Sequence, residues 1–60
     1  MTAVVLLTVR QVADATGLGQ AKIRKEINAG RLPAKRIGVD IRVRPVDLDE
    51  WIDRSDDVAV

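Results

Sequence analysis

Eight bases stand between Gln20 and Arg44: Lys22, Arg24, Lys25, Arg31, Lys35, Arg36, Arg42 and Arg44, opposed there only by Glu26 and Asp40. That segment carries +6, whereas Pro45–Val60 carries −5, with six acids against Arg54 alone. The chain of 60 residues sums to only +1, so its charge is separated along the sequence and not absent. Separation on this scale is the pattern of a face that holds a polyanion, with an acidic surface behind it. Lysine and arginine supply charged donors for phosphate oxygens, and arginine does so in a planar, bidentate fork.

Other chemistry is poorly served. Cysteine and histidine are both absent, which removes disulfide scaffolds, zinc fingers, thiol nucleophiles and imidazole acid–base catalysis. Asp47, Asp49, Glu50 and Asp53 are the one group resembling a metal or acid–base cluster, and the pattern places them on the exposed side of a short helix. We therefore expect no catalytic residue, no metal and no cofactor. The longest apolar run, Ala3–Leu7, is too short to span a membrane and lacks the flanks of a signal peptide. The expected compartment is the cytoplasm, with a single domain over residues 1–60, an ordered core over about 6–54 and flexible ends at 1–4 and 55–60.

The elements that must present these bases are legible in outline. In LTVRQVADATG, Thr8 is placed to cap a helix, Gln11 to complete the capping box, and Leu7 and Val12 to form a hydrophobic staple. The spacing predicts a helix over Val9–Thr16, ended by Gly17 in the left-handed conformation, with Val9, Val12, Ala13 and Thr16 on its inner stripe. Only Gly17, Leu18 and Gly19 precede the next helix, Gln20 to about Ala29, so the two must cross steeply as a helix-turn-helix. Ile23 and Ile27 hold this second helix down, with Leu18 beneath its start. On the opposite side, Ala21, Lys22 and Lys25 look outward with Arg24 and Asn28 beside them. Ala21 lets the helix axis approach another surface closely.

From Arg31 the period changes to that of strands. Ile37, Ile41 and Val43 are expected on one buried side of a hairpin, with Arg36, Arg42 and Arg44 on the other, around a loop of Gly38, Val39 and Asp40. Pro45 then opens a third helix, with Asp47, Asp49 and Glu50 near its positive end. Leu48, Trp51 and Ile52 dock it, Trp51 as a core plug. The fold class is mostly α with a small β-hairpin wing, a minimal winged helix-turn-helix.

The stretch LLTVRQVADATGLGQAKIRKEINAGRLPAKRIGVDIRVRPVDLDEWI, residues 6–52, resembles the excisionase-type DNA-binding domain, a small relative of the mercury-resistance (MerR-like) regulators. The resemblance lies in the L-L-T-x-x-x-V-A start, the G-L turn, Ile23 and Ile27, the G-R-L-P-A-K-R-I-G connection, Arg42-Val43, Asp47-Leu48 and Trp51-Ile52. It implies that the second helix enters a major groove while the wing follows the backbone or the adjacent minor groove. Gln20, Ala21, Lys22, Arg24 and Lys25 would then read base edges, and Arg31, Lys35, Arg36, Arg42 and Arg44 would contact phosphates. Where relatives carry bases at the wing tip, this chain has Val39 and Asp40, which shifts phosphate contact onto the strand arginines. The implied activity is that of a recombination directionality factor: cooperative binding to attachment-site DNA, bending it, and steering an integrase toward excision. The expected partners are double-stranded DNA, an integrase or recombinase, and head-to-tail copies of a chain that is monomeric without DNA. A small MerR-like transcription regulator is the alternative role, and a protein-interaction module acting on a recombinase is a second.

Overall fold

A computed structural model describes residues 5–56 and residue 58. Three helices and one hairpin follow in order: α1 (Val9–Thr16), α2 (Gln20–Asn28), β1 (Lys35–Ile37), β2 (Asp40–Arg42) and α3 (Pro45–Arg54). The expected minimal winged helix-turn-helix is the fold observed. Part of the expectation of flexible ends, at residues 1–4, 57, 59 and 60, lies outside the described residues. At the near side of that stretch Ser55 still belongs to the end of α3, its N–H donating to the Ile52 carbonyl at 3.0 Å and its Oγ to the Trp51 carbonyl at 2.9 Å.

The start of α1 obeys its sequence. Gln11 N–H donates to Thr8 Oγ1 at 3.0 Å and Thr8 N–H donates to Gln11 Oε1 at 2.9 Å, closing the capping box. The helix ends at Gly17, whose φ of 73° is open to glycine and costly for other residues. Thr16 Oγ1 donates to the Val12 carbonyl at 2.8 Å, a back-bond that keeps its hydroxyl satisfied inside the last turn.

Val9, Val12 and Ala13 of α1 meet Ile23 of α2, Leu32 of the connection, Val43 after the wing and Leu48 of α3 in one buried cluster. Each helix thus gives the core one to three side chains, and the segments flanking the wing add one each. Ile23 and Val12 are fully enclosed, and burying chains of that size contributes about 1.5–3 kcal/mol each. Leu7, Ile27, Ala34, Ile41 and Trp51 close the margin of the cluster. Two expected contributors stay outside it: Leu18 is 39% exposed and Ile52 49% exposed. The turn holds Leu18 at its outer side, and the core contact of α3 runs through Leu48 and Trp51.

The wing differs from expectation by one residue. Its loop is Gly38–Val39 alone, and Asp40 already pairs with Ile37, followed by Arg36 with Ile41 and Lys35 with Arg42. Gly38 has a φ of 64° and Val39 does not have positive φ, the pattern of a II′ turn, which suits the right-handed twist of two strands. A slip of one residue exchanges faces. Ile41 therefore shares its face with Arg36, while Ile37, 53% exposed, is on the opposite face of the hairpin with Lys35 and Arg42. The wing is also tied back to the chain start, where Leu7 and Val43 exchange backbone hydrogen bonds at 2.9 and 2.8 Å.

No atom lies within 4 Å of where a Cβ would stand on Gly17, so substitution there strains only the backbone. Gly17→Ala is expected to lower unfolding stability by about 1–2 kcal/mol, the left-handed penalty. Urea denaturation measures it, and a stability loss of zero would mean that the turn does not hold this conformation.

Candidate nucleic-acid interface

The outward side of α2 is assembled by what is removed from it. Ile23 and Glu26 are buried and Ile27 is half-buried, leaving Gln20, Ala21, Lys22, Arg24, Lys25 and Asn28 exposed. Glu26 is the only acid of the helix, and it points inward. Its carboxylate accepts from Arg31 Nε at 3.0 and 3.1 Å and from Nη2 at 2.6 Å. Its own carbonyl accepts from the N–H groups of Arg31 and Leu32 at 3.0 and 3.2 Å. Arg54 of α3 reaches the Arg31 carbonyl at 3.3 Å. One network thus binds the end of α2 to the connection and to α3, and the helix is left with bases alone on its free side.

The paired arginines change the expected division of labour. Arg31 was placed among the phosphate contacts, and so was Arg44; the structure brings both into intramolecular ion pairs, Arg44 with Asp47 at 2.6 Å. Asp47 also departs from the exposed acidic row in which its sequence put it. It is buried beside Arg44 at the start of α3, while Asp49, Glu50 and Asp53 remain exposed. Among the described residues no group of histidine, cysteine or carboxylate side chains is arranged to hold a metal.

Lys22, Arg24, Lys25, Lys35, Arg36 and Arg42 have no ion-pair partner among the described residues. The slip in the wing brings Arg36 onto the α2 side, where it lines a groove with Arg24, Ile27, Asn28 and Ile41. Lys22 lies on the other edge of α2, close enough to Glu26 for its charge to act there. Arg24, Lys25 and Lys22 thus step across the exposed side of the helix, and Arg36 continues the row onto the wing. Lys35 pairs across the wing with Arg42. Two residues of this surface were missed from sequence. Asn28 was treated as a flank, although an asparagine amide can bond adenine in two places. Arg10 of α1 lines the groove between α1, α2 and the wing with Gln20, a placement between distant segments that has no sequence signal.

The buried acids are held ionised. Hydrogen bonding from Arg31 is the main cause that brings the Glu26 carboxyl from its ordinary 4.5 down to about 2, against burial, which raises it; the Arg31 charge, Trp51 and Lys22 add smaller downward effects. Asp47 is lowered in the same way, first by its hydrogen bonds from Arg44 and against burial. Both arginines are raised by their partners.

A family model described as a helix-turn-helix domain matches residues 6–56. No curated protein and no solved structure matches the chain.

A carboxyl lowered on folding stabilises the fold above its unfolded value and loses that contribution as pH falls through its folded value. Stability should therefore decline between pH 4.5 and about 2. Glu26→Gln should make that acid limb of the thermal unfolding midpoint shallower, with Asp47 keeping part of it. A limb of unchanged steepness would show that the Glu26–Arg31 pair is not formed in solution.

Proposed function

The chain belongs to the helix-turn-helix domain family, and we propose that within it this protein is a sequence-specific architectural factor of the excisionase type. The observation that carries the reading is the exposed side of α2: five polar or basic side chains around the methyl group of Ala21, with the only acid of the helix locked inward by Arg31. A helix that is basic on its free side and has a small residue at its crest can lie deep in a major groove, with the Ala21 methyl beside a thymine methyl. Gln20, Lys22 and Lys25 then meet base edges. Lys35, Arg36 and Arg42 supply charge to the backbone, which sets affinity and register without reading sequence.

One such helix covers few base pairs, so specificity requires neighbours. The exposed acids of α3, Asp49, Glu50 and Asp53, complement the basic side of a second copy, and copies repeating in one direction form a head-to-tail series. A series of that kind bends DNA and offers an integrase one geometry over another, which is the role of a directionality factor in excision. The resemblance over residues 6–52 supports a small stand-alone DNA-binding factor, and the same face serves the alternative role of a MerR-like transcription regulator. The protein performs no bond chemistry of its own in this reading; it acts on cytoplasmic DNA through a recombinase.

Two expected outcomes follow. Lys25→Ala should weaken binding to the preferred site by about 1–3 kcal/mol, with a much smaller loss on random duplex; equal losses would reduce α2 to a backbone clamp. On a long natural site, a mobility-shift titration should give successive bands with footprints on direct repeats, and adding the protein to an integrase reaction should shift products toward excision. A single inverted-repeat footprint with no effect on recombination would identify a dimeric transcription regulator instead.

A further inference from the structure

The beginnings of α1 and α2 and the tip of the wing enclose a shallow groove, lined by Arg10, Gln20, Arg24, Asp40, Ile41 and Arg42. Three arginines from three separate elements line this one groove. None of them is in an ion pair among the described residues, where both pairs involve Arg31 and Arg44. Arg42 is oriented by one bond, Nη1 to the Ile41 carbonyl at 2.9 Å, which leaves its other donors for an occupant. The only acid on the groove is Asp40 at its rim, and it cannot neutralise three cations. Like charges lining one groove repel, and an anion seated among them is attracted by all three. The groove is continuous with the exposed side of α2 through Gln20 and Arg24, so a duplex lying on α2 brings its backbone to it.

We propose that Arg10, Arg24 and Arg42 form a seat for one backbone phosphate of the bound duplex, with Asp40 at the rim weakening it. The seat rests on the DNA-binding reading and deepens it in two respects. It draws Arg10, on a helix otherwise given to the core, into the interface as a positioning residue that fixes how α2 lies in the groove. It also moves Arg24 from base edges to the backbone, leaving Gln20, Ala21, Lys22 and Lys25 to read sequence. The carboxylate of Asp40 keeps the seat from holding every duplex tightly, which favours release from unspecific sites.

The test uses the full chain and duplexes in which each phosphate of the preferred site is replaced in turn by a neutral methylphosphonate. Wild-type protein should lose affinity most at one phosphate per bound copy. Arg10→Ala and Arg24→Ala should each make that position silent, leave other positions sensitive, and flatten the salt slope by roughly 0.9. Asp40→Asn, which removes no donor and lies on the exposed wing, should tighten binding to preferred and random duplexes alike. An Arg10→Ala protein with the wild-type slope and undiminished sensitivity at every phosphate overturns the seat while leaving the DNA-binding reading intact. Wild-type protein that binds no duplex at all overturns both.

Discussion

The surface of this domain depends on the ion pair between Glu26 and Arg31. A carboxylate on the exposed side of α2 would put a negative charge into an otherwise basic face; turned inward, it instead holds the end of the helix to the connection that follows. Three donor contacts from one guanidinium, two backbone bonds to the Glu26 carbonyl and the reach of Arg54 to Arg31 make the end of α2 part of one unit with α3. Glu26 is buried while Arg31 stays 57% exposed, so removing the arginine leaves the enclosed carboxylate without its compensating charge. The pair therefore fixes a direction for the helix as well as a charge for its outer side.

Arg44 and Asp47 do the same where the wing meets α3. Together the two pairs engage two of the eight bases between Gln20 and Arg44 with acids of their own chain, the Arg31 and Arg44 side chains staying 57% and 48% exposed, and the other six lie on α2 and on the wing. A core of seven small and middle-sized apolar side chains leaves little stability to spare in a domain this short. Polar locks at the ends of helices and the backbone bridge between Leu7 and Val43 supply order that a larger protein would draw from packing. Binding surface and scaffold are consequently made from the same few residues.

Most of the architecture was legible, because its signals are local. Thr8 with Gln11 and Gly17 delimit α1 through capping chemistry, and Pro45 marks the start of α3. The wing register was not legible: Gly38 suits a two-residue or a three-residue loop, and only the twist of the paired strands selects the shorter one, which reverses the sides of Ile37 and Arg36. The Glu26–Arg31 pair escapes sequence patterns because it spans five residues across a helix end, outside the three- and four-residue spacings of a helix face. The Leu7–Val43 bridge, and the groove that Arg10 lines together with Arg24 and Arg42, join distant segments in a way that no period encodes. The bases of α2 were found from composition, and their separation into free and paired groups required the fold.

The central claim is that DNA lies against the exposed side of α2 and the wing while the acidic side of α3 faces away. Amide chemical shifts followed by nuclear magnetic resonance, during titration with a duplex short enough to hold one copy, test it most directly. The account predicts the largest changes at Ala21, Lys22, Arg24, Lys25 and Arg36–Arg42, with Asp49, Glu50 and Asp53 nearly unmoved. Changes concentrated in α3, with α2 undisturbed, would contradict it.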